Sequence, residues 1–328
     1  MRPFESCMLT RPFGKTGLQV SERSFGAWAI GGNSFGAVEP TQALRSLAVA
    51  EELGCNFVDT AAVYGESEAL LGKFLAGRRD RWIVASKYSG QPSGMTAMVD
   101  EQLRRLGTDC IDFYQIHWAP RGKDEHLYSE LARLKRDGKV RFCGVSLRSA
   151  ADIDTVLSQP CIDGIQVCVS LLDPGPLVSR LPLLRSRRPG VIARSALKGG
   201  FLTGKYGEAA SFTDPADQRH EWSRERIRDT ARRSGAFGFL AEGEVALLDA
   251  AIAYPLSFPE VSTVVLSCKN VQQVQANFGG DMQFRLDPGQ LRRIEQEQRR
   301  LGVYPANPAM RVWRRLRRLL ASREGRGA

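Results

Sequence analysis

The 328-residue chain has no run of 18 or more apolar residues, the least expected of a membrane-spanning helix. It also has no Gly-x-Gly-x-x-Gly after its first strand-like segment, which argues against a Rossmann dinucleotide domain. Met1-Arg2-Pro3-Phe4-Glu5-Ser6-Cys7 lacks the continuous apolar core of a secretory signal, so a cytoplasmic location is expected. The seven cysteines, at 7, 55, 110, 143, 161, 168 and 268, contain no Cys-x-x-Cys pair and no histidine at ligand spacing. They read as reduced, mostly buried small apolar residues, several inside strands (Cys143, Cys168, Cys268), and no metal site is expected. Low-complexity tracts are missing too, as is any internal repeat beyond a βα period.

What is present is an ordinary globular composition, 43% hydrophobic and 25% charged, in a chain long enough to bury a sizeable core. Two average domains or one long α/β barrel both fit the length. The net charge of +10 is concentrated at the end, where residues 311–328 hold seven arginines and one glutamate, leaving the rest only mildly basic. Within that tail Val312, Leu316, Leu319 and Leu320 fall at helical spacing with Trp313 alongside. Two readings stay open: a basic amphipathic helix for an anionic surface, or a terminal helix docked on the body with a solvated arginine face.

Short β-branched or aromatic segments alternate with amphipathic ones, the pattern of repeated βα units. Strands are predicted at 25–28, 57–60, 82–86, 111–117, 140–146, 164–169, 191–195 and 263–268. Helices are predicted at 42–53, 67–75, 95–106, 125–136, 150–157, 176–184, 244–253 and 271–278. Eight such units close most naturally into a (β/α)8 TIM barrel. We therefore expect one barrel domain over 1–328, with an N-terminal β-hairpin at 9–20 that could plug its bottom. An extra C-terminal helix at 286–301 and a basic helix or tail at 309–328 complete the expected architecture. Residues 206–238 read as one long irregular segment, a candidate lid.

Four of the predicted strand ends carry polar residues: Val58-Asp59-Thr60-Ala61-Ala62-Val63-Tyr64-Gly65, Ala85-Ser86-Lys87, Tyr114-Gln115-Ile116-His117 and Gly144-Val145-Ser146. A phenol with a pKa of about 10 is a poor proton donor near neutrality. An ammonium beside its oxygen favours the phenolate, and an aspartate behind the ammonium keeps it charged and aimed. Asp59, Lys87 and Tyr64 supply that chain, and a neutral His117 can orient a bound carbonyl. Taken singly, each has an ordinary explanation as a turn former, packing aromatic, solvated charge or core histidine. Their convergence at successive strand ends points to one active site.

With the barrel order and these motifs together, the chain resembles the aldo-keto reductases from Phe13-Gly14-Lys15-Thr16-Gly17 through Asn277. The most specific matches are Phe57-Val58-Asp59-Thr60-Ala61 with Tyr64-Gly65, Gly199-Gly200-Phe201-Leu202-Thr203-Gly204-Lys205, and the region 273–277. The resemblance implies an NADP-dependent oxidoreductase that reduces an aldehyde or ketone to an alcohol by hydride transfer, without metal. Tyr64 would be the general acid, Lys87 and Asp59 its tuning pair, and His117 the carbonyl-orienting group. Trp28 and Trp118 would wall the substrate pocket.

For the cofactor, the resemblance implies that Ser146 and Gln166 hold the nicotinamide carboxamide. The loop with Gly200, Leu202, Gly204 and Lys205 would take the pyrophosphate, Lys269 the adenosine 2′-phosphate, and Gln273 and Asn277 the adenosine. NADPH is favoured over NADH by that single cation. Two positions depart from the family pattern: Leu147 replaces an asparagine, and Arg194 replaces the aromatic that stacks on the nicotinamide. Arg194 either weakens NADP+ relative to NADPH or turns toward an anionic substrate group. The expected partner is a small-molecule carbonyl compound, with no nucleic acid and at most a weak anionic-surface contact through the tail. The alternative within the resemblance is a nicotinamide-binding regulatory subunit with little turnover, like the potassium-channel β subunits.

Overall fold

A computed structural model describes residues 8–32, 34–90, 94–241 and 245–305. The basic tail, Cys7 and the start of the helix expected at 244–253 lie outside the described residues. An antiparallel hairpin of β1 (Thr10–Pro12) and β2 (Gln19–Ser21) precedes eight parallel strands. These are β3 (Arg23–Gly26), β4 (Phe57–Asp59), β5 (Ile83–Tyr88), β6 (Ile111–Ile116), β7 (Val140–Ser146), β8 (Gly164–Cys168), β9 (Gly190–Arg194) and β10 (Thr263–Ser267). They form a closed barrel, with β10 pairing to both β9 and β3.

Helices α1 (Pro40–Glu52), α2 (Ser67–Leu75), α3 (Gly94–Leu106), α4 (His126–Arg136) and α5 (Ile153–Ser158) each follow one of the strands β3 to β7. Two short helices, α6 (Gly175–Val178) and α7 (Leu181–Arg187), follow β8. α8 (Arg224–Gly235) and α9 (Leu247–Leu256) follow β9, and α10 (Val271–Phe278) and α11 (Pro288–Arg300) close the sequence of elements. The expected (β/α)8 barrel with an N-terminal hairpin is thus the observed fold.

The barrel interior is built in two tiers, because alternate strand residues face inward. The lower tier is apolar: Phe57, Ala85, Phe113 and Ile192 pack together with Phe13, Leu18 and Val20 of the hairpin region. Phe113 fills the space left by two glycines, since a Cβ at Gly144 would lie 2.2 Å from its ring and one at Gly164 3.1 Å. Two residues further along the same strands stand Asp59, Lys87, Gln115, Ser146, Gln166 and Arg194. The period of two therefore lays a polar tier on an apolar floor.

The hairpin seals that floor. Phe13 is fully buried, with its ring 4.9 Å from Phe113 and 5.9 Å from Phe57, centroid to centroid. Arg11 ties the hairpin to the far end of the chain by donating to the carbonyls of Leu256 (2.9 Å) and Val261 (3.0 Å) while pairing with Glu22 at 2.6 Å.

Several elements differ from expectation. Residues 206–238 are not one irregular segment, since they contain the twelve-residue α8. That helix is strongly polar, with Ile227 and Ala231 buried against Phe201, and it starts at a Ser223 cap that accepts from the Arg226 N–H. The helix expected at 176–184 is divided into α6 and α7, with a proline in the first turn of α7. The one expected at 150–157 opens as a 3-10 turn before α5. Trp28 lies in a 3-10 turn, Ala27–Gly31, after β3 has ended at Gly26, and Cys268 follows β10 rather than lying within it.

Candidate active site

Strand register brings the polar tier together. Lys87 on β5 is the lateral partner of Gln115 on β6, and β4 places Asp59 beside Ala85. The Lys87 ammonium donates to Asp59 Oδ2 at 2.7 Å, to the Thr60 carbonyl at 2.8 Å and to Tyr64 Oη at 3.4 Å. Gln115 Nε2 holds the other carboxylate oxygen, Oδ1, at 3.1 Å. Lys87 is fully buried. Burial by itself lowers an ammonium's pKa, but the contact with Asp59, with a further contribution from Tyr64, outweighs it and holds Lys87 above its usual value.

Tyr64 is delivered by the short loop after β4. Its backbone N–H donates to the Ala61 carbonyl at 3.0 Å, and its own carbonyl accepts from Ser67 at 3.1 Å. Gly31 permits the approach, because a Cβ there would sit 1.9 Å from the Tyr64 carbonyl oxygen. The phenol ring lies between two others: Trp28 stacks at 5.7 Å and His117 meets it edge-on at 6.0 Å. His117 follows β6, with its N–H on the Tyr88 carbonyl at 3.0 Å. Its pKa is pushed down to about 3 by burial, reinforced by the positive charges of Lys87, Arg194 and Arg148. The ring is neutral at physiological pH and can donate one N–H to a carbonyl oxygen. All four residues expected at the site are therefore brought together.

Around the mouth the other expected residues divide into groups. Trp118 packs on Tyr88 at 5.6 Å and donates to Asp124 Oδ2 at 3.3 Å. Ser146 and Gln166 are register partners on β7 and β8, and Ser146 Oγ donates to Gln166 Oε1 at 3.1 Å. Gln166 Nε2 is buried with no partner among the described residues. Arg194 lies next along the barrel wall, donating to the Leu147 carbonyl at 3.0 Å. After β9 a 3-10 turn, Lys198–Thr203, carries Gly199 and Gly200 at positive φ, with Leu202 buried and Gly204 as its left-handed cap. Lys205 rests against the ring of Tyr206.

At the end of β10, Lys269 Nζ donates to the Phe35 carbonyl at 2.7 Å, and Gln273 Oε1 accepts from the Lys269 backbone. Asn277 is buried, its amide on Cys268 Sγ at 3.1 Å. Residues 212–222 arch over this end of the barrel. Phe35 bridges to Asp217, and Gln218 donates to the Ser34 carbonyl at 2.8 Å. Arg219, nearly buried, makes a two-point pair with Asp217, donates to the Gly199 carbonyl at 2.9 Å and stacks on Phe212 at 4.0 Å. The aromatic cluster of Phe201, Tyr206, Phe212 and Trp222 supports this strap.

Sequence reasoning missed Gln115, although a lone amide in the apolar run of β6, two residues before His117, was the available signal. It also missed Arg148, Arg219 and a buried network behind Lys87. In that network Gln102 Nε2 binds Glu68 Oε1 at 2.7 Å and the Lys87 carbonyl at 3.2 Å, and Ser86 also donates to Glu68. These links join residues far apart in the chain and have no local pattern.

A profile of the aldo/keto reductase family matches residues 24–298. The chain belongs to the aldo/keto reductase family. Its relatives include aldo-keto reductase YhdN of Bacillus subtilis, 30% identical over 63% of this chain and 67% of that protein. L-Galactose dehydrogenase of Arabidopsis thaliana is 30% identical over 81% of this chain and 86% of that protein. Among solved structures, glycerol dehydrogenase AKR11B4 from Gluconobacter oxydans superposes with a TM-score of 0.75 at 26% identity, over 91% of this chain and 98% of that one. Aldo-keto reductase AKR11C1 from Bacillus halodurans, in its holo form, gives 0.73 at 26% identity, over 88% and 96%. Aldo/keto reductases are oxidoreductases that use a nicotinamide cofactor on small-molecule substrates. In this chain no helix among the described residues is long and apolar enough to cross a membrane.

Proposed function

We propose that this aldo/keto reductase is an NADPH-dependent carbonyl reductase in which Tyr64 is the general acid. The observation that carries the reading is the single ammonium of Lys87 touching both Asp59 and the Tyr64 hydroxyl, beside a neutral His117. The residues fit a nicotinamide. The unpartnered Gln166 amide and the Ser146 hydroxyl offer a donor and an acceptor for a primary carboxamide. Gly199 and Gly200, both at positive φ, shape the turn after β9, where a Cβ would crowd Trp222 and Tyr206.

In this reading Gly200, Leu202, Gly204 and Lys205 line the pyrophosphate, and Gln273 and Asn277 the adenosine. Lys269 is the cation for the 2′-phosphate that favours NADPH, and Trp28 and Trp118 bound the substrate. Six free cysteines among the described residues suit a reducing compartment such as the cytoplasm.

When bound between Ser146, Gln166 and the tetrad, a reduced nicotinamide would supply a hydride, and with it two electrons, to a carbonyl carbon. His117 fixes the carbonyl oxygen by one N–H, and Tyr64 Oη gives that oxygen its proton as negative charge develops there. The Lys87 ammonium stabilises the phenolate left behind, and Asp59 keeps the ammonium charged throughout. A proton from solvent then restores the phenol.

The test follows NADPH absorbance across carbonyl compounds grouped by size and charge, with wild type and Tyr64→Phe. The variant should lose about 10²- to 10⁴-fold in turnover while still binding NADPH. A loss of only a few-fold would contradict the assignment.

A further inference from the structure

Going round the barrel from β4, the tetrad arises from β4, β5 and β6, and the next three strands present Ser146, Gln166 and Arg194. A nicotinamide whose amide is held by Ser146 and Gln166 would lie between the strands that carry the tetrad and β9, whose last residue is Arg194. Arg194 is fixed in that place. Its terminal nitrogens donate to the Leu147 carbonyl at 3.0 Å and Ser195 Oγ at 3.4 Å, while its Nε is buried with no partner among the described residues. No ion pair joins Arg194 to an acid among the described residues, and Asp173 lies within electrostatic reach of both Arg194 and Lys198.

Resting on the nicotinamide reading above, we propose that Arg194 sets the redox preference of the cofactor site. The guanidinium stacks acceptably on the neutral reduced ring and repels the positively charged oxidised one. NADPH and NADP+ otherwise present the same phosphates, ribose and adenine to the protein, so the ring charge is the only difference this side chain can read. The site would hold the reduced cofactor more tightly and release the oxidised one readily, so that NADP+ is a weak product inhibitor although the bound couple becomes the weaker reductant.

Direct binding of NADPH and of NADP+, each without substrate, is measured by calorimetry on wild type, Arg194→Gln, Arg194→Met and Arg194→Lys. Wild type is expected to bind NADPH the tighter. Whichever neutral variant folds should narrow the ratio of the two dissociation constants by about tenfold, or ~1.4 kcal/mol, whereas lysine preserves it. An unchanged ratio in a folded neutral variant overturns the proposal. So does a ratio that lysine narrows as far as glutamine does, which would make stacking rather than charge the cause. If the ratio stays put but preference for a carboxylated over a neutral benzaldehyde falls, the guanidinium faces substrate and the proposal is wrong. Wild type binding neither dinucleotide would instead remove the nicotinamide reading itself.

Discussion

Lys87 and Gln115, lateral partners across β5 and β6, grip opposite oxygens of one carboxylate, at 2.7 Å and 3.1 Å from Asp59. The aspartate is thereby held from two strands, and its aim at the ammonium does not depend on the lysine alone. Gln115→Leu leaves a buried oxygen unpaired, which costs about 1–3 kcal/mol. We expect a lowered denaturant midpoint and a drop in kcat larger than any change in KM. Wild-type values for both would show that Lys87 alone suffices to hold Asp59.

His117 should not titrate where histidines usually do. With its pKa pushed down to about 3, a ring-carbon resonance followed by NMR is expected to show no inflection between pH 5 and 8. The sign for stability follows. Between the ordinary histidine value of about 6.5 and the folded value, the unfolded chain binds a proton that the native ring refuses, so stability falls as pH drops through that window. Replacement by glutamine should flatten this part of the pH–stability curve, measured by urea unfolding. An inflection of the wild-type ring near its ordinary value would refute the burial argument.

A double-mutant cycle can test the floor of the barrel. A Cβ at Gly190 would lie 2.4 Å from the Phe13 ring, so Gly190→Ala should destabilise by about 1–3 kcal/mol through overpacking. Phe13→Ala alone should cost about 3–5 kcal/mol. Because one ring causes the clash, the double variant should be more stable than the sum of the two predicts. Strict additivity would mean the two sites do not meet.

The strap at 212–222 depends on the pairing of Asp217 with Arg219. Asp217→Ala strands a nearly buried guanidinium, an effect of about 3–5 kcal/mol when the group stays in place. We expect faster proteolytic cleavage within 206–222 and quicker release of NADPH in stopped-flow fluorescence, with little change in global unfolding. Unaltered cleavage would show that the aromatic cluster alone secures the strap.

The eight strands and the tetrad were legible because both rest on short-range pattern. Buried parallel strands read as apolar runs, and Asp59, Lys87 and His117 each stand at the end of one. Helix α8 was not, because its Ile227 and Ala231 are too few to raise an apolar stripe above a background of arginines, leaving only the Ser223 cap as a signal. The first barrel strand was expected to run to Trp28 but ends at Gly26, since nothing local distinguishes the last strand residues from the start of a 3-10 turn. Gln115, Gln102 and Arg219 owe their roles to partners on other elements, and only register reveals those.

The sealed floor has a consequence for how the molecule is made. Residues 10–21 are synthesised well before what secures them: Phe13 sits against the backbone at Gly190, and Arg11 reaches the carbonyls of Leu256 and Val261. The stopper must wait for most of the vessel. During synthesis the hairpin therefore has no berth, and the nascent chain carries an exposed phenylalanine until β9 and β10 have emerged.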